Sequence, residues 1–169
     1  MANYIVRKFS QDDLALLKED WKNLEKGKDM SYFQTYDWYE SINEVKPTKG
    51  EVVFIEILDP EKAILIAPLW ILRHSYLFVN KRGCYFWGKE GYSDYLNFIY
   101  SDFDGNALDT LFSFIREEFC VTQYYLDFLL EKTDVVAYIE SHIPLIDKQL
   151  RIKFPYKTVM ESDKDGLFS

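Results

Sequence analysis

The sequence predicts an α/β fold of the α+β kind, in which a mixed, largely antiparallel sheet is flanked by helices on both faces. The first observation is that several strand-like segments follow one another directly between residues 51 and 100, which favours antiparallel hairpins. The second is that helical segments separate the later strands, which favours parallel crossovers. The third is that residues 63–72 are apolar at nearly every position, as expected for a strand covered on both sides.

The first third of the chain predicts one strand and two helices. Residues 4–9 alternate as a strand, and Ser10 with Asp13 forms the start of a helix with an acidic capping partner. This helix has one apolar stripe and ends at Gly27; the stripe comprises Leu14, Leu17, Trp21 and Leu24. A second helix begins at Thr35 and ends before Pro47 and Gly50; its predicted buried face is Trp38, Ile42 and Val45.

The middle of the chain predicts the antiparallel part of the sheet. The strands are expected at residues 51–58, 63–72, 76–79, 83–87 and 95–100. Val53, Ile55 and Ile57 share one face of the first of these, and Asp59 with Pro60 makes the following turn. Pro68 has no N–H to donate, so a bulge or local break is expected there. Lys81 and Arg82 are expected to form a basic turn.

The last third alternates helices and strands. A helix follows Asp104 and Gly105, with an apolar stripe at Leu108, Leu111, Phe112, Ile115 and Phe119. A strand at 123–130 precedes a helix that Thr133 caps and Pro144 closes, with Val135, Val136 and Ile139 on its apolar face. Residues 150–154 alternate as a last strand. We therefore expect one domain over residues 1–160 and a linker or frayed tail at 161–169.

Composition limits the classes of function. The chain has 169 residues and a net charge of -8, so its average surface repels phosphate backbones and anionic lipid, and no nucleic-acid partner is expected. Cys84 and Cys120 lie among apolar residues and are expected to be buried, reduced thiols. No signal peptide is evident and the longest apolar run is too short to span a membrane, which predicts a cytoplasmic protein.

The segment 84–100 contains the candidate site. A strand ends at Trp87, glycines at 88 and 91 open a loop, and a second strand begins at Tyr95. Loops held by a rigid sheet often contain functional residues. We therefore predict that substrate is bound by Trp87, Tyr92, Ser93, Asp94 and Tyr95. The alternative is that Ser93 and Asp94 only accept bonds from turn amides.

The other motifs give weaker evidence of a functional site. Residues 83–90 match part of a phosphate-loop pattern, but Glu90 replaces the magnesium-binding hydroxyl and no helix follows directly. His74 and His142 are isolated, and the cysteines lack metal spacing, so no metal site is expected. Asp127 is a weak site candidate, because a buried carboxylate needs a partner or has a raised pKa; an inter-domain salt bridge is the simpler explanation.

The element order resembles the GNAT acyltransferase fold, and a series of short motifs narrows the resemblance. In order they are Trp21-Lys-Asn-Leu24, Phe33-Gln-Thr-Tyr-Asp-Trp38, Ala67-Pro68-Leu69, Gly88 with Tyr92 to Tyr95, and Phe154-Pro155-Tyr156. Together they are similar to the N-terminal half of the cellulose-biosynthesis (CelD/BcsL-type) GNAT proteins, which are relatives of the FemAB peptidyltransferases. The resemblance implies a second GNAT-like half, in cis or in trans, that binds acetyl-CoA. It also implies a small-molecule or glycan acceptor, that is, a sugar, polysaccharide or amino group.

One stretch departs from the family pattern. A catalytic GNAT domain has a Gln/Arg-x-x-Gly-x-Gly/Ala turn whose amides hold the CoA pyrophosphate at a helix N-terminus. Residues 100–106 here offer one glycine, Gly105, and two carboxylates, Asp102 and Asp104, which repel a pyrophosphate. We therefore expect no acetyl-CoA site and no catalytic residue in this chain, which would be an inactive half without its partner.

Two alternatives to the half-enzyme remain open. The first is a non-catalytic binding or scaffold domain that uses an aromatic face of the sheet. The second, ranked last, is a self-sufficient small-molecule acetyltransferase.

Overall fold

The computed structural model describes residues 4–27, 30–76, 79–88, 95–127, 129, 133–146 and 150–153. The strands are β1 Ile5–Ser10, β2 Glu51–Asp59, β3 Lys62–Tyr76, β4 Val79–Phe86, β5 Gln123–Asp127 and β6 Leu150–Lys153. The helices are α1 Lys18–Leu24, α2 Tyr36–Ile42, α3 Gly105–Phe119 and α4 Asp134–Ile146. Two 3₁₀ helices, Gln11–Leu17 and Tyr32–Gln34, precede α1 and α2.

The six strands form one sheet in the order β1-β2-β3-β4-β5-β6. The first four are antiparallel neighbours, whereas β5 and β6 each run parallel to the strand before them. This agrees with connection length, since hairpins join antiparallel strands and the helical crossovers α3 and α4 join parallel ones. The predicted mixed, largely antiparallel sheet is confirmed.

Helices cover both faces of this sheet, as predicted. On one face, α3 and α4 pack against Val53, Ile55 and Ile57 of β2. On the other face, the first two helices pack against Val52 and Phe54 of the same strand. β2 is therefore buried on both sides, which explains why seven of its nine residues are buried. We call these two layers the α3/α4 face and the α1/α2 face.

The start of the first helical segment follows the prediction. The Asp13 carboxylate accepts bonds from the Ser10 backbone N–H at 3.3 Å and from its hydroxyl at 2.6 Å. The chain then makes 3₁₀ turns as far as Leu17 before the α-helical geometry begins. The predicted stripe is buried on the α1/α2 face: Leu14, Leu17, Trp21 and Leu24.

The predicted face of α2 is correct at Ile42 but wrong at Trp38 and Val45. Thr35 caps the helix as expected, because its Oγ1 accepts a bond from the Trp38 N–H at 3.2 Å. The residues buried under the helix are Tyr36, Tyr39 and Ile42, however, and Trp38 is only half-buried beside Phe33. Because the helix ends at Ile42, Val45 lies beyond it and cannot extend the stripe.

Pro68 lies in an unbroken β3. The Pro68 carbonyl accepts the Trp87 N–H at 3.0 Å, one position past the last β3–β4 pair. The nitrogen and the carbonyl of a strand residue point to the same side, so the N–H that Pro68 lacks would also have faced Trp87. The Trp87 carbonyl, which has no proline N–H to accept, instead accepts the Tyr39 hydroxyl at 3.3 Å. The irregularity in β3 lies nearer its start, since Ile57 pairs with Leu65 and Leu58 with Ala63.

Three further expectations need correction. Lys81 and Arg82 are in the β4 ladder, opposite His74 and Arg73, and the reversal between β3 and β4 comes earlier. Pro144 lies inside α4, which continues to Ile146. The tail at 161–169 and the motif at 154–156 lie outside the described residues, so the domain bounds stay a prediction.

The two cysteines differ in environment. Cys84 is buried in β4, and burial raises the pKa of its thiol. Cys120 is exposed, contrary to the prediction, and ends α3 in the left-handed conformation with φ 51°. No disulfide joins them.

Candidate functional site

The candidate site is formed largely by the segments that follow the parallel strands β4 and β5 and lead into α3 and α4. These parallel strands pair only over three residues each, from Gly83 to Tyr85 and from Gln123 to Tyr125. Past Trp87 the chain leaves the sheet, and it returns beside β3 at Ile99, whose N–H and C=O each bond to Ile66 at 2.8 Å. A cleft at the carboxyl ends of parallel strands is a common binding position in α/β proteins.

The cleft has a volume of about 360 Å³. Three segments surround it: the region before α2, the residues before α3, and the start of α4. Its lining comprises Met30, Gln34, Asn97, Phe98, Tyr100, Ser101, Asp102, Phe103, Thr133 and Asp134. Because this lining contains two carboxylates and no lysine or arginine, we call it the acidic cleft.

Two buried amide side chains fix the inner wall of the acidic cleft. Gln34 accepts the Ser31 N–H with its Oε1 at 2.9 Å, and its backbone carbonyl accepts the Trp21 indole N–H at 2.9 Å. The Asn97 Oδ1 accepts the Phe98 N–H at 2.8 Å. Asn97 is 9% exposed, and within the described ranges its Nδ2 donates to no protein acceptor. Asn97 lines the cleft, and the bond to its Oδ1 holds the amide in place, so its Nδ2 is a candidate donor to a bound molecule.

The N-terminus of α3 is occupied by the chain's own carboxylate. The Asp104 Oδ1 accepts the N–H groups of Asn106 at 2.9 Å and Ala107 at 3.4 Å. The other oxygen of Asp104 accepts the Tyr4 hydroxyl at 2.5 Å, which raises the pKa of Tyr4 to about 12. An incoming anion would have to displace this carboxylate and then lie beside its negative charge.

The same helix start is closely packed against α4. A Cβ placed on Gly105 would lie 2.2 Å from the Tyr138 ring, so this position has no room for a side chain. Tyr138 in turn donates from its hydroxyl to the Asp109 carboxylate at 2.8 Å. The first turn of α3 is therefore held by Tyr4, which directly precedes β1, and by α4 together.

Comparison with known proteins gives only distant structural similarity. No protein-family model matches the sequence, and no curated protein matches it. A possible acetyltransferase from Clostridium difficile 630 is 11% identical, with a TM-score of 0.45 over 89% of this chain and 95% of that one. A protein described as a predicted acetyltransferase from Clostridium acetobutylicum, solved with acetyl-CoA, is 14% identical, with a TM-score of 0.44 over 91% and 97%.

An aminoglycoside acetyltransferase, meta-AAC0020, from an uncultured soil metagenomic sample was solved in complex with sisomicin. It is 11% identical to this chain, with a TM-score of 0.43 over 91% of this chain and 95% of that one. Similarity at this level does not assign a function, so the site is interpreted from the residues of this chain alone.

The substrate-binding residues predicted from the sequence lie away from the cleft lining where they can be placed. Trp87 is 5% exposed at the end of β4, and Tyr95 is half-buried with its ring 6.4 Å from Phe33. Tyr92, Ser93 and Asp94 lie outside the described residues. A substrate-binding role for this set stays a prediction.

Sequence reasoning missed a buried ionic group under α1. Glu56 is fully buried in β2, and its Oε2 accepts the Arg7 Nε–H at 2.7 Å from the paired position on β1. Arg7 also contacts Asp20 at 3.2 Å. Burial, together with the hydrogen bond to Asp20, raises the pKa of Glu56 to about 7 even though Arg7 opposes the shift.

The remaining motifs contribute little to the site. Asp127 is half-buried at the end of β5, where it and Tyr125 help to raise the pKa of Tyr85 to about 12, after burial as the main cause. In the ranges that the structure describes, no three histidine, cysteine or acidic residues are arranged to hold a metal ion. Within the same ranges, none of the helices combines the length and apolar character that crossing a bilayer requires.

Proposed function

We propose that this chain is the N-terminal, GNAT-like half of an acyltransferase that binds the acceptor and lacks an acetyl-CoA site of its own. The observation that carries the proposal is the carboxylate of Asp104 on the first amides of α3. In an acetyl-CoA-binding GNAT domain, those amides hold the pyrophosphate. A chain that fills this position with its own anion needs another source of acyl donor.

The element order supports the GNAT-like part of the proposal. One strand, two helices, three antiparallel strands, and then two helix–strand crossovers follow one another along the chain. The acidic cleft is lined by the segments that follow β4 and β5, which is where a substrate site is expected in such a sheet. The CelD/BcsL-type and FemAB-like relationship, suggested by the sequence motifs, is part of the same proposal.

The chemistry of the acidic cleft favours an amino-bearing sugar as acceptor. Asp102 and Asp134 attract an ammonium group, whereas the lining has no cation that would attract phosphate. The free Nδ2 of Asn97 suits a hydroxyl oxygen, and the Phe103 ring offers an apolar surface to a sugar face. These groups bind and orient an acceptor, and we assign no catalytic residue among them.

The acyl donor comes from a second half, in cis or in trans, in this proposal. Acetyl-CoA bound there supplies the thioester, while this chain holds the acceptor amine. The loop from Trp87 to Tyr95 would form the wall that faces the second half. A cytoplasmic location and the absence of a nucleic-acid partner, both predicted from the sequence, belong to the same proposal.

Calorimetry with acetyl-CoA tests the cofactor part. We expect no saturable binding to this chain at sub-millimolar concentrations, because Asp104 occupies and repels the pyrophosphate position. Saturable binding at micromolar concentrations would refute the proposal and favour a self-sufficient acetyltransferase.

A second titration tests the acceptor part. Glucosamine should bind more tightly than glucose, and the preference should disappear in the double variant Asp102→Asn with Asp134→Asn. The matched control is Glu44→Gln with Glu61→Gln, which removes two charges from exposed positions outside the cleft lining. An unchanged preference in the Asp102/Asp134 variant, or an equal loss in the control, would contradict an acceptor site in the acidic cleft.

A non-catalytic domain that binds through an aromatic sheet face remains the second candidate. It is favoured by the stacked rings of Tyr85 and Tyr125, whose centroids lie 4.6 Å apart with planes at 4°. Trp70 and Tyr85 are only 6% and 7% exposed, however, which leaves little ring area for a partner. The half-enzyme therefore ranks first.

A further inference from the structure

Two arginines lie directly opposite each other at the far end of the sheet from the acidic cleft. Arg73 of β3 pairs in register with Arg82 of β4, so both side chains leave the same face of the ladder. Arg73 lies seven positions along β3 from Ile66, where the segment lining the cleft returns to the sheet. At about 3.3 Å per residue, this separation is roughly 23 Å.

The arginine pair lines a small cavity, which we call the arginine pocket. Its volume is about 220 Å³, and its lining is Gly50, Glu51, Ile71, Arg73 and Arg82. Gly50 has φ +77°, and a Cβ there would lie 2.3 Å from the Ile71 carbonyl oxygen. The turn before β2 therefore approaches β3 more closely than any other residue would allow.

Among the described residues, the charges of this pair are only partly neutralised. In the part of the chain that the structure describes, no carboxylate lies within salt-bridge distance of Arg73 or Arg82. Arg82 uses one N–H to bond the Phe119 carbonyl at 2.8 Å, which fixes its guanidinium against the end of α3. Glu51 on the pocket lining offsets one of the two charges, so the pocket keeps a net positive charge.

Like charges placed directly opposite in a ladder destabilise a sheet unless an anion lies between them. Here the pair stands in a protein of net charge -8, where 28 acidic residues are available as partners. Two adjacent guanidiniums, one of them held by the Phe119 carbonyl, match a dianion with several oxygens better than a single carboxylate does. The pocket is below the usual range of about 300–1,000 Å³ for drug-sized ligands, which limits the bound group to a small one.

We propose that the arginine pocket binds the dianionic phosphoryl group of a small molecule. The group would lie between the guanidiniums of Arg73 and Arg82, with its oxygens accepting their free N–H groups. The proposal does not rest on the proposed acyltransfer function, because the pocket shares no lining residue with the acidic cleft.

Calorimetry on the full chain at constant ionic strength tests the proposal, with inorganic phosphate and glycerol 3-phosphate as probes. We expect saturable binding at or below millimolar concentration and an affinity loss of at least about tenfold in Arg73→Gln, since charge-assisted bidentate bonds are lost. Arg73→Lys should recover only part of this, because an ammonium lacks the guanidinium fork. Tighter binding of the ester identifies a phosphate monoester as the ligand, and equal binding identifies free phosphate.

The matched control is Lys62→Gln, which removes one exposed cation from the opposite end of β3. It should leave the affinity for both probes unchanged. Arg73 is exposed, so its substitution should leave the fold intact, and a melting curve checks this. No saturable binding to the unmodified chain, or the same loss in Arg73→Gln and Lys62→Gln, would overturn the proposal.

Discussion

The two faces of the sheet are built from different side chains. The α3/α4 face is mainly aliphatic, with residues such as Leu108, Leu111 and Ile115 packed on β2 and β3. The α1/α2 face is richer in aromatic residues, and its largest buried members include Trp21 and Tyr39. Several of these aromatic residues also donate a hydrogen bond to the backbone carbonyl of a segment that connects helices or strands.

The difference shows how each face contributes to the candidate site. Aliphatic packing holds α3 in place mainly through buried area, and the Tyr124 hydroxyl of this face bonds to a carbonyl within the helix itself. On the α1/α2 face, by contrast, Trp21 bonds to the Gln34 carbonyl and Tyr39 to the Trp87 carbonyl. Gln34 lines the acidic cleft, and Trp87 is the first residue after β4. The α1/α2 face therefore positions the wall of the acidic cleft and also stabilises the fold.

The largest expected effect is that of Trp21→Ala. Trp21 is fully buried and contacts the rings of Tyr36, Tyr39 and Phe54, so its truncation should reduce the free energy of unfolding by about 3–5 kcal/mol. The matched control is Trp38→Ala, which should cost roughly 1–2 kcal/mol because Trp38 is only half-buried. Urea unfolding of both variants measures the difference; equal losses would mean that α2 packs through the Trp38 face after all.

The next largest effect concerns pH and Glu56. The pKa of this carboxyl rises from 4.5 to about 7 on folding, so the folded state binds the proton more tightly than the unfolded chain does. Stability should therefore fall as the pH rises from about 4.5 through 7, by up to about 3 kcal/mol from this group, and then level off. Urea midpoints measured between pH 4.5 and 8.5 check this.

Glu56→Gln is the variant that assigns this pH dependence. Glutamine keeps the shape of the side chain but does not titrate, so the fall in stability between pH 4.5 and 7 should be largely absent. Glu118→Gln serves as control, because Glu118 pairs with Lys8 at an exposed position. If Glu56→Gln keeps the slope of the unmodified chain, the titrating group lies elsewhere.

The smallest effect compares one buried hydroxyl on each face. The Tyr39 hydroxyl donates to the Trp87 carbonyl at 3.3 Å, and the Tyr124 hydroxyl donates to the Phe112 carbonyl at 3.2 Å. Phe112 lies inside α3, where its carbonyl also serves the helix, so Tyr124→Phe should cost about 0.5–1 kcal/mol. Tyr39→Phe should cost more, about 1–2 kcal/mol, because the Trp87 carbonyl is left without that donor.

Thermal or urea unfolding of the two phenylalanine variants, measured side by side, resolves this difference. A greater loss in Tyr124→Phe would contradict the view that hydrogen bonds to connecting segments matter most on the α1/α2 face.

The sequence predicts the helix packing of the α3/α4 face better than that of the α1/α2 face. The long stripe of α3 spans four turns, so its period identifies the buried face without ambiguity. α2 has only seven residues, and both Tyr36–Tyr39–Ile42 and Trp38–Ile42–Val45 fit a helical spacing. In so short a helix, the buried face is decided by the residues it packs against. These are Trp21 and Phe54, which are distant in sequence.

The candidate site was harder to predict for a related reason. The acidic cleft joins residues from three separate segments, and only the departure at 100–106 marks it in the sequence. Glu56 and Arg7 become partners through strand pairing across 49 positions, which local alternation does not reveal. The arginine pair could be found only from the β3–β4 register, since the predicted turn at Lys81 and Arg82 does not pair Arg82 with Arg73.

The left-handed residue at the end of α3 has a practical use. Cys120 is exposed and Cys84 is buried, and the chain has two cysteines in all, so a maleimide dye would attach at a single position without any engineered substitution. That position follows Phe119, whose carbonyl holds the Arg82 guanidinium. A fluorophore at Cys120 would therefore stand next to the arginine pocket, and its emission would report ligand entry there in real time.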